Sequence, residues 1–396
     1  MNKLKGWLAL VLLLLSWCAL YWITGSRTPW NQFHVNNDGS GVSVYLGDIP
    51  TQNYDRMGFT KAVVRYAAEE EGWIVGTERG ELFLFDNEGR QKWKRSLGVG
   101  KLIALCLTPD GKLAIVGEQS AEGRLLWQFP KNEIIDSWIN WCDVNDNNGR
   151  AVFSTSAYDY REDMKYKDTM YFLDKRTGEL LNSTKVPSIP PFDNTVMRGS
   201  PNYSADGKYL AAGASDGRGM LFDEAGRTLW TRSISKPQEV DGAYVNASGR
   251  DGFVTPYGVL FTTINTFNRE NWQLPTPVEH PSNNSIFVFN TDGTFRYQYM
   301  ADGTMEEIAF AGRLAACAVG RNVRTHNYKA HGALVLDLET GKRYSYFPTE
   351  GPCQAIGISP DGQWLAGVEA PALTPDGKII GAYRLHIWKN NAGGAK

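Results

Sequence analysis

The sequence predicts an all-β protein, a seven-bladed β-propeller preceded by an N-terminal transmembrane helix. Three observations lead to this prediction. Short apolar runs alternate with turn residues along most of the 396-residue chain, two turn markers recur, and one uncharged apolar run stands at the N-terminus. The chain contains 41 Gly, 13 Trp and 18 Tyr, which favours strands and turns. Its net charge of -2 argues against nucleic acid as a partner.

The N-terminal run covers residues 7–23, contains no charged side chain and follows Lys3 and Lys5. As a helix it is near the lower limit of length for crossing a hydrocarbon core. Large residues occupy the positions at which signal peptidase requires small ones, so we predict an uncleaved anchor over residues 1–25. A cleaved signal peptide is the alternative.

The lysines favour a cytoplasmic N-terminus, which places the rest of the chain outside the cytoplasm as part of a single-pass cell-membrane protein. We predict a tether over residues 26–40, the propeller over residues 41–390 and a flexible tail over residues 391–396.

The clearest repeating unit is residues 61–97, in which four apolar strands are separated by three tight turns. Such a unit is an antiparallel meander. Its last turn recurs as an Asp or Asn with a Gly three or four residues later. The side chain of the Asp or Asn closes the turn, and the Gly accepts a positive φ. Seven residues after each Asp or Asn stands a bulky apolar residue, predicted to pack between neighbouring units: Trp93, Leu181, Trp230, Tyr297 and Tyr344.

The first turn also recurs, as TPDG, SADG and SPDG at residues 108–111, 204–207 and 359–362. Together the markers give units at about 58–98, 99–134, 138–187, 198–236, 241–300, 304–347 and 353–389, a period typical of propellers. We predict that residues 42–47 add a strand to the last unit and close the ring. The second unit is the least regular, with its fourth strand assigned to residues 134–138; six or eight blades are the alternatives.

The segments FDNEGRQKW, LFDEAGRTLW, FLDKRTGEL and VLDLETGKR resemble the repeat of quinoprotein-like β-propellers, over most of the chain after residue 58. The resemblance implies the fold. For activity it implies either a PQQ-dependent alcohol dehydrogenase or a noncatalytic scaffold such as an outer-membrane assembly lipoprotein. Asn182 and Ser345 occupy the place of the family's repeated Trp, and no two cysteines adjoin. We therefore expect no cofactor, with PQQ and calcium as the alternative.

Two groups of residues could bind a metal. Asp143, Asn145, Asn147 and Gly149 have the spacing of a calcium loop, but Ser154 stands where its distal Glu is required, so an Asx-rich hairpin turn is favoured. His326 and His331 lack a third ligand nearby and are interpreted as solvated loop residues.

Four cysteines lie in the exported part, where disulfides are permitted. They are Cys106, Cys142, Cys317 and Cys353. Their pairing is undetermined, and burial as small apolar side chains is an equal alternative.

Hydrolase and nucleotide-binding motifs are absent from the sequence. Paired carboxylates from distant units leave no local motif, so a glycoside-acting enzyme is a third hypothesis.

The links between second and third strands are enlarged in units 3, 5, 6 and 7, and equivalent links emerge on one face of a propeller. We predict that this face binds a partner through aromatic and charged side chains: Tyr158, Tyr160, Arg161, Trp272, Arg324 and His326. The predicted function is a noncatalytic binding or scaffold module for an envelope or membrane protein, or for an extracytoplasmic ligand. A PQQ-dependent oxidoreductase is the alternative.

Overall fold

A computed structural model describes the chain over most of its length. The described residues are 33–35, 41–47, 62–77, 79–96, 104–107, 114–117, 127, 129, 138–156, 168–192, 195–197, 199–268, 278–322 and 330–391. Every regular element in these ranges is a β-strand. No helix within them is long and apolar enough to cross a membrane. The predicted anchor, residues 1–25, lies outside them.

Thirty strands are described, and most belong to sheets that follow each other along the chain. In chain order they are β1 (Phe33–Val35), β2 (Gly41–Tyr45), β3 (Val63–Ala67), β4 (Gly72–Gly76), β5 (Glu81–Asp86), β6 (Gln91–Ser96), β7 (Ala104–Leu107), β8 (Ala114–Gly117), β9 (Trp138–Asn145), β10 (Arg150–Ser156), β11 (Thr169–Asp174), β12 (Leu180–Lys185), β13 (Asn202–Tyr203), β14 (Tyr209–Ala214), β15 (Arg218–Asp223), β16 (Thr228–Ser233), β17 (Gln238–Val240), β18 (Ala243–Thr255), β19 (Gly258–Asn268), β20 (Ser285–Phe289), β21 (Phe295–Met300), β22 (Met305–Ala311), β23 (Leu314–Val319), β24 (Gly332–Asp337), β25 (Lys342–Pro348), β26 (Cys353–Ile358), β27 (Trp364–Glu369), β28 (Ala372–Leu373), β29 (Ile379–Ile380) and β30 (Arg384–Lys389).

Each predicted unit contains one antiparallel sheet, numbered here as the unit. Sheet 1 is β3–β6, sheet 3 is β9–β12, sheet 4 is β13–β16, sheet 5 is β17–β21 and sheet 6 is β22–β25. Two strands of sheet 2, β7 and β8, are described. The hairpin β28–β29 is inserted between the second and third strands of sheet 7.

Sheet 7 contains both ends of the folded chain, in the order β1-β2-β30-β27-β26. Strand β2 pairs antiparallel with β30, from Gly41 opposite Trp388 to Tyr45 opposite Arg384. This pairing confirms that the predicted closing segment adds a strand to the last unit. Strand β1 adds a fifth strand outside β2, so the sheet extends into the segment predicted as a tether.

Neighbouring sheets pack face to face, with their first or second strands in contact near an inner edge. Contacts join β26 to β3, β3 to β7, β9 to β13, β14 to β18 and β22 to β26. Buried apolar clusters fill the interfaces of sheets 3 and 4, 4 and 5, 5 and 6, 6 and 7, and 7 and 1. Sheets arranged radially, with the chain ends joined in one of them, form a β-propeller.

The recurring Asp/Asn–Gly marker is a β-bulge between the third and fourth strands. The register shifts there in five sheets, and the marker glycines have φ between 69° and 83°. In sheets 4 and 5 the bulky residue after the bulge contacts the next sheet, since Trp230 Nε1 donates to the Thr291 carbonyl at 2.8 Å and the Tyr297 hydroxyl to Leu338 at 2.7 Å.

In sheet 3 the prediction that Leu181 packs between units is wrong, because Leu181 is 46% exposed. The turn of this sheet has one extra residue, which places Asn182 opposite Phe172, the position that Trp230 takes opposite Leu221. Asn182 Nδ2 donates to the Ala225 carbonyl of the next sheet. An amide thus makes the contact that an indole makes elsewhere. Tyr344 does pack against the cluster between sheets 6 and 7.

The fourth strand predicted for unit 2 at residues 134–138 is also corrected. Trp138 begins β9, the first strand of sheet 3. Trp127 Nε1 donates to the Lys175 carbonyl at 2.9 Å, and Trp127 and Phe129 pack against sheet 3. Trp127 therefore makes the contact that marks a fourth strand in sheets 4 and 5.

Candidate binding face

The links between second and third strands share one face of the ring with the links that join consecutive sheets. Backbone hydrogen bonds connect the two kinds of link, from Ser215 to Val196, from Thr304 to Arg321 and from Ala370 to Pro352, at 2.9 to 3.3 Å. We call this the loop face. The opposite face carries the first and last turns of each sheet.

The six predicted binding residues all belong to links on the loop face, but they lie outside the described residues. The strands that bound these links are described: β10 and β11 for Tyr158, Tyr160 and Arg161, β19 and β20 for Trp272, and β23 and β24 for Arg324 and His326. Their role stays a prediction.

Buried polar side chains cluster beneath the loop face, a feature that the sequence reading missed. This polar belt comprises Ser215, Asp216, Ser235, Asn246, His280, Asn284, Thr304, Asn322, His331 and Glu369. Its side chains bond the backbone of the links: Asn246 Nδ2 donates to the Ser215 carbonyl at 2.9 Å, and Asn322 Nδ2 to the Asp302 carbonyl at 2.8 Å. These side-chain bonds hold the ends of the links in place where the links leave the strands and no strand pairing is available.

A cavity of about 290 Å³ opens on the loop face between sheets 4 and 5. Its lining consists of Ser233, Ile234, Ser235, Lys236, Gln238, His280, Pro281, Ser282 and Phe287. The Ser282 amide donates to His280 Nδ1 at 3.1 Å, so Nε2 carries the proton, and Nε2 lies 2.7 Å from the Lys236 carbonyl. Burial lowers the pKa of His280. This histidine is therefore neutral and joins the two sides of the cavity.

His331 is not the solvated loop residue that the sequence predicted. It is 1% exposed, its Nδ1 lies 3.2 Å from the Glu350 carbonyl, and its own carbonyl accepts the Tyr346 hydroxyl at 2.7 Å. It precedes β24 directly and is covered by the link between sheets 6 and 7, and burial lowers its pKa.

Sheet 7 contains a Ser–His–Glu relay across three strands. Ser43 Oγ lies 2.8 Å from His386 Nδ1, His386 Nε2 lies 2.7 Å from Glu369 Oε2, and Glu369 Oε1 accepts the Gly351 amide at 2.7 Å. Ser43 is 7% exposed and lies within β2, between β1 and β30. A nucleophilic oxygen must be reached by its substrate, and Ser43 is buried in the middle of a sheet, so we interpret the relay as a set of bonds that hold the closing strand in place.

Charged side chains on the first or second strands connect neighbouring sheets near the inner edge. Glu307 accepts Arg65 Nη1 at 2.6 Å and the Ile356 amide at 3.1 Å, which joins sheet 6 to sheets 1 and 7. Arg250 Nη1 donates to the Met305 carbonyl at 3.0 Å. First strands are sheet edges with unpaired backbone groups, and these side chains bond some of them. Carboxylates held in this way are poorly placed for the glycoside hypothesis.

Asp143 shows the same pattern, since its carboxylate accepts the Tyr203 amide of sheet 4 at 2.7 Å. Burial raises the pKa of Asp143 to about 6. Desolvation outweighs the two backbone hydrogen bonds that favour the anion.

The loop that follows Asp143 contains the Asx-rich turn that the sequence predicted. Asn145 Oδ1 accepts the amides of Asn147 and Asn148 at 2.9 and 3.1 Å. The side-chain amides of all three asparagines donate to carbonyls in the first turn of sheet 4, between Ser204 and Gly207. The side-chain oxygen of Asn145 and the side-chain nitrogens of all three asparagines thus have backbone partners.

Two of the cysteines are buried, as the apolar interpretation expected. Cys317 and Cys353 are free and lie in apolar clusters on opposite faces of sheet 6. Burial raises the pKa of the Cys317 thiol to about 12. Cys142 is exposed. The side chain of Cys106 lies outside the description.

The PQQ alternative requires ligands for calcium. In the described ranges, no group of three or more His, Cys, Asp or Glu side chains could hold a metal ion.

Comparison with known proteins bears on the fold. No protein-family model and no curated protein sequence matches the chain. Among solved structures, the hydrazine synthase of Kuenenia stuttgartiensis is similar with a TM-score of 0.53 and 15% identity, over 82% of this chain and 96% of that chain. The Swd1 β-propeller domain of Myceliophteria thermophila has a TM-score of 0.48 and 13% identity, over 85% of this chain and 98% of that one. At such low identity the likeness concerns the fold alone, and the chain has a β-propeller fold.

Proposed function

We propose that this chain is a membrane-anchored, extracytoplasmic, seven-bladed β-propeller that binds an envelope or membrane protein, or an extracytoplasmic ligand, as a noncatalytic scaffold. The observation that carries the proposal is the loop face. Four enlarged links share one face, and a buried polar belt fixes the bases of three of them, in sheets 5, 6 and 7. Loops held on a rigid scaffold are typical recognition surfaces.

The noncatalytic role is supported by the way the described polar groups are used. His280 and His386 have partners at both ring nitrogens, and Glu307 and Glu369 bond backbone amides as well as side chains. A general acid or base needs a group that can reach a substrate proton. Seven blades are supported by seven successive sheets, of which the second is described by two strands.

The test is capture of partners from solubilised membranes with the exported domain as bait. We expect Arg161→Ala and Arg324→Ala each to reduce capture, because both change the loop face. Arg227→Ala is the matched control, since this 82% exposed arginine lies in the last turn of sheet 4, on the opposite face. Equal capture by all three variants and the unchanged domain contradicts the proposal.

The oxidoreductase alternative is tested on the same protein. Addition of PQQ and calcium should produce neither a bound-cofactor spectrum nor dye-linked oxidation of alcohols or sugars. Either signal contradicts a noncatalytic role.

A further inference from the structure

The direction of the first two strands shows on which face the N-terminal segment enters the fold. Strand β30 begins on the loop face, after the link that contains β28 and β29. Because β2 is antiparallel to β30, β2 ends on the loop face, where the Leu46 amide bonds the Tyr383 carbonyl at 2.9 Å. Strand β1 is antiparallel to β2, with Phe33 opposite Val44, so β1 begins on the loop face.

The chain between the predicted anchor and β1 is short. An anchor that ends at residue 25 leaves seven residues before Phe33. A fully extended chain advances at most about 3.6 Å per residue, so Phe33 lies within about 29 Å of the end of the helix. The loop-face end of sheet 7 is therefore held near the membrane surface.

The hairpin β28–β29 projects from this same end of sheet 7. Strand β1 is two strands away from β30, which is a lateral distance of about 10 Å at the usual strand spacing. The hairpin turn is fixed by bonds from the Gly377 amide to Thr374 and from the Thr374 amide to Lys378, at 2.9 and 2.8 Å. Beside it, Ile379 is 55% exposed, and the 78% exposed side chain of Lys378 is paired with Asp376, with Nζ 2.8 Å from Oδ2.

We infer that the loop face is turned toward the membrane and that the hairpin β28–β29 contacts the lipid surface, with Ile379 in the headgroup region and Lys378 beside it. An exposed branched apolar side chain next to a lysine suits the boundary between headgroups and acyl chains. The inference rests on the proposed anchor. It adds the orientation of the loop face toward the membrane and the contact between the hairpin and the lipid. It follows that partners of the loop face are reached at the membrane surface.

The experiment uses the full chain in vesicles that contain anionic phospholipid. The photoreactive residue p-benzoylphenylalanine replaces Ile379 in one protein and Phe295 in the other. Phe295 is the matched control, because it is 54% exposed and begins β21 on the opposite face. After irradiation, mass spectrometry measures the lipid adducts at each position. We expect a several-fold excess of lipid adducts at position 379.

Equal yields at the two positions, a higher yield at position 295, or adducts of protein in place of lipid at position 379 overturn the inference. Alkaline carbonate extraction of the same vesicles separates the two possible failures. A chain that is extracted contradicts the proposed anchor and the inference with it. A chain that stays in the membrane without adducts at position 379 contradicts the inference alone and leaves the proposed binding function standing.

Discussion

At the scale of single residues, several polar side chains in the described part of this protein bond backbone groups of the neighbouring sheet. Asp143 accepts the Tyr203 amide, Asn182 donates to the Ala225 carbonyl and Arg250 donates to the Met305 carbonyl. A propeller leaves the first strand of every sheet with one unpaired edge, and unpaired backbone groups are costly when water is excluded. Charged side chains such as Asp143 and Arg250 are thus explained by the backbone groups that they bond on the neighbouring sheet.

Asp143 gives a prediction for pH dependence. Its pKa is about 6 in the folded chain against 3.8 ordinarily, so between these values the folded state keeps a proton that the unfolded state loses. The folded state therefore loses stability as the pH rises from about 4 to about 6. Asp143→Asn removes this effect, and the free energy of unfolding of the variant should gain about 1 to 3 kcal/mol relative to the wild type over that interval. Urea denaturation across the pH range measures it, and a constant difference contradicts the assigned cause.

Asn145 gives a prediction that separates an Asx turn from a calcium loop. Asn145→Ala loses two accepted amides and the bond to the Ser204 carbonyl, which should lower the free energy of unfolding by about 1 to 3 kcal/mol. The control Asp146→Ala removes a 60% exposed carboxylate paired with Lys175 and should cost less than about 1 kcal/mol. Thermal unfolding with calcium and with EDTA should give equal midpoints. A midpoint that rises with calcium contradicts the Asx-turn interpretation.

At the scale of elements, the β-bulge before each fourth strand aligns one sheet with the next. Gly226 in the bulge of sheet 4 has φ +82°, and a Cβ atom there would lie 2.3 Å from the ring of Phe172 in sheet 3. Phe172 is fully buried, so its ring cannot move aside. The glycine is thus required both by the turn and by the packing of sheets.

Gly242 allows these two requirements to be separated, because it has φ +80° and an open space around its Cβ position. Both Gly226→Ala and Gly242→Ala incur the left-handed penalty of about 1 to 2 kcal/mol. Gly226→Ala should lose about 1 to 3 kcal/mol more, from the collision with Phe172. Denaturant unfolding of the two variants measures the difference. Equal losses show that the bulge does not set the distance between sheets.

Strands and turns could be predicted from the sequence where residues close together in the chain determine them. The turn with Asp or Asn and Gly involves only a few consecutive residues, and so the turns and most strands were predicted correctly, whereas the β-bulges were not predicted. Leu181 was assigned wrongly because one extra turn residue changes which side chain faces the neighbour, as the pairing of Asn182 with Phe172 shows. The burial of His331 depends on a link from another part of the chain.

The sequence predicted which face of the propeller carries the enlarged links, but it did not predict the side-chain contacts beneath that face. Enlarged links are visible in the sequence, whereas the polar belt beneath them consists of residues that meet only in the folded ring. The relay of Ser43, Glu369 and His386 is the clearest case, since its members come from both ends of the chain. No local pattern relates them.

At the scale of the whole molecule, the joining of both chain ends in sheet 7 determines the architecture. The closing strand removes an exposed edge, positions the relay and brings the N-terminal segment to the loop face. The proposed binding face and its proposed orientation both depend on this one pairing and its register.

The most direct measurement is therefore a disulfide across the closure. Val42 lies opposite Ile387, so Val42→Cys with Ile387→Cys places two cysteines at the distance of neighbouring antiparallel strands. Val42→Cys with Leu385→Cys is the control, because Leu385 lies opposite Val44. Peptide mapping after mild oxidation should find the 42–387 disulfide in nearly all molecules and a raised unfolding midpoint, with little 42–385 disulfide. Absence of the 42–387 disulfide, or preference for the control pair, contradicts the closed ring in this register.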